Sequence, residues 1–218
     1  MIKKATKYTD ENGAIELKIS SMTLGTTIVK FDLPMNLVDD INNVYDNNKE
    51  KISEKLINNL LTDDMKDMFL SCFEKYLEMA KKSFWTCELE DAWVNDMREG
   101  EYNPLHTHDS LMSELGLSSV LGLKRPSTYG IDVFRMDIKT DGVYPTNGML
   151  QFHNGDQSPI STSQLSVDVK PGEFYVFPYT MLHGVYPFNG TKEIRRTMSF
   201  NCNLFTETTI QRKETTYG

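Results

Sequence analysis

Cations are in short supply in this chain: 23 Lys and Arg stand against 31 Asp and Glu, giving a net charge of -8 at pH 7. A surface that grips nucleic acid regardless of sequence works by clustering Lys and Arg against phosphates, so nucleic acid is a disfavoured partner. Cysteine is nearly absent too. Cys72, Cys87 and Cys202 are odd in number and share no short spacing, which excludes a disulfide framework and offers no structural zinc pattern; a reducing compartment suits such usage. There is no run of eighteen apolar residues, and the stretch from Met1 to Asp10 has no apolar h-region. These shortages lead to the expectation of a soluble, cytoplasmic protein with no membrane contact. What is present, 39% hydrophobic and 11% aromatic residues in a chain of 218, is enough for one sizeable core. With no internal repeat, low-complexity segment or linker, a single domain over 1–218 is expected: N-terminal strands and supporting helices over 1–85, a β-rich core over 86–205 and a tail over 206–218.

Residues 1–34 read as short strands and turns, with Ile15 to Ile19 alternating and Thr26 to Phe31 rich in β-branched residues. Helical spacing then takes over. Leu37, Ile41 and Val44 or Tyr45 form one stripe; Ile52, Leu56, Ile57 and Leu60 form a second after the break at Asp46-Asn47-Asn48. Thr62 is placed to cap a third helix carrying Asp63 and Asp64 in its first turn and Met65, Met68, Phe69, Cys72, Tyr76 and Met79 along one face. Such stripes are packing surfaces, and the Met-rich one predicts a helical layer lying on a sheet.

From Trp85 onward Gly, Pro, Asn and Asp turns separate β-rich segments. Strands are expected at 87–98, 115–124, 129–139, 148–153, 163–169, 173–178, 182–187 and 194–205. Helices first and strands after predicts an α+β fold, here a double-stranded β-helix, a jelly roll of cupin-like type, with the N-terminal helices packed on one outer face. Arg125 to Asn147 reads as an insertion whose centre, 131–140, would form an extra hairpin beside the barrel mouth.

Histidine is almost as scarce as cysteine, with four in the chain, yet two of them lie two positions apart in Tyr102-Asn103-Pro104-Leu105-His106-Thr107-His108-Asp109. On a strand, residues i and i+2 share a face, so His106 and His108 could hold one ion between them. Alone, the pair reads equally well as surface histidines donating to backbone carbonyls. His183 opens another short strand and by itself reads as a core histidine; His153 reads as a turn residue. The Pro171-Gly172 turn feeds Glu173 to Pro178, a strand apolar on both faces that suits the inside of a barrel. Further on, Arg195, Thr197, Ser199 and Asn201 alternate with Arg196, Met198 and Phe200. A polar face headed by arginine suits a carboxylate, because guanidinium offers a fixed fork of donors and a hydroxyl two residues on adds another. Arg195 is favoured over Arg196 by its parity with Thr197; the plain alternative is an ion pair with Glu193.

Taken in order, Trp93-x-Asn95, Asn103-x-x-His106-x-His108, Leu117-Ser118-Ser119-Val120-x-x-Leu123, Pro171-Gly172-x-x-x-x-Phe177-Pro178, His183-x-Val185-x-Pro187 and Arg195-Arg196-Thr197-x-Ser199-Phe200-Asn201 resemble the 2-oxoglutarate/Fe(II)-dependent oxygenases related to prolyl hydroxylases, of a kind found in phages and bacteria. The resemblance covers roughly residues 90 to 205. It implies Fe(II) at one end of a double-stranded β-helix, chelated by 2-oxoglutarate, with O2 consumed, ascorbate admitted as a reductant and a small-molecule or peptidyl substrate hydroxylated. It also implies that Arg195 binds the distal carboxylate of 2-oxoglutarate, assisted by Thr197 or Ser199.

One departure stands out. The superfamily's usual motif is His-x-Asp, whereas position 108 is His and the adjacent carboxylate is Asp109. Two ligand sets stay open: His106, His108 and His183, or Asp109 in place of His108, although on a strand Asp109 would point away from the histidine face. Neutral ligands alone leave the centre one charge more positive. The rival reading from another class is a non-catalytic, cupin-like metal-binding or interaction barrel, which has no need of a buried arginine behind its metal.

Overall fold

The computed structural model describes residues 8–10, 13–15, 18–24, 26–50, 56–110, 113, 115–130, 146–155 and 163–206. Ile52, the strand expected beyond Gly130 with its hairpin at 131–140, and the tail beyond Thr206 lie outside the described residues. The first strands are β1 (Tyr8–Asp10), β2 (Gly13–Ile15), β3 (Lys18–Leu24) and β4 (Thr26–Asp32), followed by helices α1 (Met35–Asn48) and α2 (Asp63–Met79). The rest is β5 (Thr86–Met97), β6 (Asn103–His106), β7 (Gly116–Lys124), β8 (Leu150–His153), β9 (Gln164–Val167), β10 (Glu173–Pro178), β11 (Leu182–Val185) and β12 (Arg195–Phe205). No helix among the described residues is long and apolar enough to cross a membrane.

Among the described residues β1 and β2 pair only with each other, while a six-stranded sheet runs β3-β4-β10-β7-β12-β5 and a four-stranded one β6-β11-β8-β9. Strands of β5–β12 thus cross repeatedly between two antiparallel sheets, which is the jelly-roll order of a double-stranded β-helix. β3 and β4 lengthen the larger sheet beyond β10 through a register that sets Phe174 opposite Phe31. The strand expectations hold for β5, β7 and β8–β12. β6 was missed, because Pro104 and Asn103 weaken its strand signal.

Alternation along the large sheet divides the interior into two compartments. Val94, Leu117, Leu121, Phe174, Val176, Met198, Phe200 and Cys202 face the helices. Met97, Val120, Tyr175 and Phe177 face the smaller sheet, with Leu150, Phe152 and Val185 opposite. Leu37, Val38, Ile41 and Tyr45 of α1 are buried on the helix side. In α2 Thr62 caps the helix, its hydroxyl accepting from the Met65 amide at 3.3 Å, and the buried stripe is Met65, Met68, Phe69, Cys72, Phe73, Tyr76 and Leu77. The Phe69 ring lies 5.3 Å from Phe174 and 4.7 Å from Phe200, so the helical layer sits on the sheet as expected. Met79, expected on that face, is instead largely exposed, since the stripe turns toward Leu77 at the helix end. The second expected helical stripe is different too: Leu56 forms a bridge to Trp93 and Asn58–Leu60 is a short 3₁₀ turn.

Arg196 fastens α1 to the sheet. Its Nε and Nη2 grip Asp96 at 2.6 and 2.9 Å, Nη1 donates to Asn42 at 3.1 Å and Nη2 reaches Asp46 at 2.9 Å. The guanidinium lies 4.6 Å above the Tyr45 ring, and Arg196 together with Lys124 holds the Asp46 carboxyl down at about 2. A buried arginine can remain charged when its donors are met this completely.

Candidate metal centre

His106 ends β6 and His183 lies in β11, paired opposite each other across the smaller sheet. That close pairing depends on Gly184, whose absent Cβ would stand 2.8 Å from the Asn103 carbonyl oxygen. Their ring centroids are 4.4 Å apart, and His108 completes the group at 5.1 Å from His106 and 5.0 Å from His183. Ligating atoms of the three all lie within 4.8 Å of one another. The strand argument for His106 and His108 sharing a face does not apply, because β6 ends at His106. His108 instead lies in the irregular chain beyond, where its amide donates to the Tyr179 carbonyl at 2.9 Å. Asp109 is exposed and is not in the group. His153, expected in a turn, ends β8.

Nδ1 of His106 sits 2.7 Å from the Pro104 carbonyl, and Nδ1 of His183 sits 2.8 Å from that of Met181. A carbonyl only accepts, so both Nδ1 atoms carry the proton and neither Nε2 does, the arrangement that orients metal-binding imidazoles. Nε2 of His108 and Nε2 of His183 are 3.2 Å apart; two cis ligands on one ion with bonds of about 2.1 Å would stand about 3 Å apart. The donor set therefore fits a transition-metal ion.

Burial, reinforced by the neighbouring imidazoles, lowers His183 to about 3 and His108 to about 4. Both are neutral, the form that binds metal, at physiological pH. The unfolded chain takes up protons below about 6.5, where the folded protein still refuses them. Stability of the chelator-treated protein should accordingly fall as pH drops from about 6.5 toward 4. Each of these histidines contributes a slope of up to about 1.4 kcal/mol per pH unit. Denaturant titrations at several pH values should show a flatter profile for His183→Phe, which substitutes an apolar ring among Phe152 and Phe177; an unchanged slope would refute this linkage.

The second group lies on the barrel-facing side of β12. In register with β5, Arg195 pairs with Met97, Thr197 with Asn95 and Ser199 with Trp93. Arg195 is 1% exposed, and among the described residues its one contact in hydrogen-bond geometry is from Nη1 to the Met97 sulfur at 3.9 Å. Nε and Nη2 have no partner among the described residues, nor does the Tyr129 hydroxyl. Burial pulls the pKa of Arg195 down, opposed by Tyr129 and Asp168. Tyr129 is therefore near enough to favour the cation, but the two groups miss hydrogen-bond geometry. Asp168 is already engaged by Arg125 at 2.8 and 2.9 Å. Glu193 serves neither arginine as partner: it is exposed and accepts from the Ser127 amide.

A buried guanidinium with three idle N–H groups is costly, and an anion would relieve it. Thr197 is buried beside it and Ser199 is half-buried. Further along the same inner face, Ser118 and Asn201 stand opposite each other with Oγ and Oδ1 buried and unpartnered among the described residues. Sequence reading missed Tyr129, which follows β7. Its ring is held by Phe188 at 5.5 Å, by the Arg125 guanidinium at 4.6 Å and by the space Gly148 leaves. Trp93, assigned only to packing, brings its ring within 5.9 Å of His108. A cavity of about 730 Å³ opens at the end of β5, lined among others by Asn95, Met97, Tyr102 and Asn103.

Comparison with known proteins bears on these groups. Residues 91–201 match the family model described as "Putative 2OG-Fe(II) oxygenase", just over half of the chain. No curated protein matches. Among solved structures, the viral collagen prolyl hydroxylase vCPH from Paramecium bursaria chlorella virus-1 is similar with a TM-score of 0.51 at 14% identity, covering 86% of this chain and 90% of that one. HygX from Streptomyces hygroscopicus, with nickel and 2-oxoglutarate bound, gives 0.54 at 9% identity, covering 82% of each chain. At such low identity these likenesses speak for the fold, and the family model speaks for the activity. The chain belongs to the 2OG-Fe(II) oxygenase family and is a 2-oxoglutarate- and Fe(II)-dependent dioxygenase.

Proposed function

We propose that His106, His108 and His183 hold the iron, and that Arg195 anchors the distal carboxylate of 2-oxoglutarate with the Tyr129 hydroxyl beside it and Thr197 or Ser199 assisting. The observation that carries this reading is Arg195. A guanidinium 1% exposed, with Nε and Nη2 unpaired among the described residues, faces the same barrel interior into which the histidine cluster projects. When bound, iron and 2-oxoglutarate supply the oxidising power that converts a substrate C–H bond to C–OH with O2, leaving succinate and CO2.

The chain's own side chains divide the remaining work. Nδ1 protons fixed on Pro104 and Met181 keep the His106 and His183 lone pairs aimed inward. Arg195 and Tyr129 give the cosubstrate one orientation by meeting its far end, which also neutralises the buried charge. Phe152 and Phe177, packed around His183, exclude water from that side of the centre. Three neutral ligands would leave the metal one charge more positive than a set containing a carboxylate, so the chelating carboxylate of the cosubstrate would meet a stronger attraction there. The substrate is a small molecule or a peptidyl side chain, and the ends of α1 and β5, which line the cavity beside Asn95 and Met97, support an approach from there.

An anaerobic titration of the protein with Fe(II) and then 2-oxoglutarate tests the assignment. A visible metal-to-ligand charge-transfer band should grow with 2-oxoglutarate, and succinate should form on admitting air. Iron-loaded protein that develops no such band would sink the reading.

A further inference from the structure

Of the three clustered histidines, His106 and His183 are carried by paired strands, whereas His108 stands in irregular chain. A ligand on such a segment must be aimed by something other than a ladder. Its amide is tied to the Tyr179 carbonyl at 2.9 Å, and the Tyr179 ring lies 6.1 Å from its own. Tyr179 is itself immobilised. Only 2% exposed, it fills the recess left by Gly116, where a Cβ would come within 2.0 Å of the ring, and its amide donates to the Gly116 carbonyl at 2.9 Å. Its hydroxyl is shared between Glu90 Oε2 at 3.4 Å and Asn203 Oδ1 at 3.3 Å. The other oxygen of the same carboxylate, Glu90 Oε1, accepts from the Ser110 hydroxyl at 2.9 Å. Glu90, on β5, therefore joins the residue packed against His108 to a residue two positions beyond it.

We propose that Glu90 is the positioning residue for His108: through Tyr179 and Ser110 it holds the third imidazole in place and so sets how tightly the centre retains its metal. The inference rests on the three-histidine reading. The clamp does for His108 what the β6–β11 ladder does for His106 and His183. Without it the segment 107–110 would have to be ordered by the metal itself, at a cost in binding free energy.

Co(II), whose visible bands report coordination, is the probe, added anaerobically to the full chain in wild type, Glu90→Leu, Glu90→Gln, Tyr179→Phe and His108→Ala. Removing an outer partner of a metal ligand weakens affinity by about 10-fold or more, and that loss with altered Co(II) bands is expected for Glu90→Leu. Glu90→Gln, which keeps an acceptor for Ser110, should restore most of the affinity and the wild-type spectrum. Melting of the metal-free proteins separates a positioning role from a general loss of packing. If Glu90→Leu does not fold, Tyr179→Phe decides, since it keeps the ring in its recess and removes only the hydroxyl bonds; an affinity loss of about 2- to 10-fold is expected. Wild-type affinity and spectrum in Glu90→Leu and Tyr179→Phe, with His108→Ala impaired, would overturn the clamp. His108→Ala binding Co(II) as tightly as wild type would overturn the three-histidine centre itself.

Discussion

Arg195→Leu is expected to raise the 2-oxoglutarate concentration needed for half-saturation by about 100-fold or more while leaving iron binding intact. Two charge-assisted hydrogen bonds from the guanidinium contribute about 1.5–3 kcal/mol each, and about 1.4 kcal/mol corresponds to tenfold in affinity. The measurement is titration of the charge-transfer band in the iron-loaded variant. Stability should respond differently. Arg195 is buried with Nε and Nη2 unpaired among the described residues, so the apolar Leu removes a desolvation cost while its shorter side chain leaves a cavity; the two offset, and the melting temperature should change little. Arg196→Leu makes the contrast. It strips Asp96 and the Asn42 Oδ1 of their partner and leaves Asp46 with Lys124, leaves Asp96 half-buried and uncompensated, and should cost about 3–5 kcal/mol of stability. The cosubstrate affinity of whatever remains folded should be unaltered. If Arg196→Leu loses 2-oxoglutarate binding and Arg195→Leu does not, the two arginines have been assigned to the wrong faces of β12.

The other large effect is expected at His183. His183→Ala removes the most buried member of the cluster, 3% exposed, and leaves two imidazoles, too few for a stable ion at a site built of neutral ligands. Iron content after dialysis should fall to background, and neither charge-transfer band nor succinate should appear. Asp109→Ala is the informative companion. Exposed and outside the cluster, Asp109 should be dispensable, so this variant should keep wild-type iron. Stoichiometric iron in His183→Ala, or its loss in Asp109→Ala, would require a different ligand set.

Much of the architecture was legible from the chain alone because its signals are local. The Thr62 cap with Asp63 and Asp64 behind it, the stripe from Met65 to Tyr76, the Pro171-Gly172 turn and the alternation from Arg195 to Phe200 each concern residues a few positions apart. Backbone geometry translates such patterns into helix, turn and strand faces with little outside help. The scarcity of histidine made His106, His108 and His183 candidates before any fold was known. β6 escaped notice because Pro104 reads against a strand; an edge position beside β11 tolerates it.

What the sequence by itself determined is the jelly-roll class, the faces of β12 and the short roll of residues able to bind metal or carboxylate. Tertiary structure alone decided which arginine is spoken for and which is idle among the described residues, since the partners of Arg196 come from α1 and β5, about 100 residues or more upstream. It also decided that Tyr129 comes close to Arg195, and that His108, off the strand, packs against a tyrosine whose hydroxyl bonds to a glutamate from β5. The physical reason is that the pairing of a buried polar group depends on strand register and on loops folding back, which join residues distant in sequence, whereas periodicity records only which way each side chain faces.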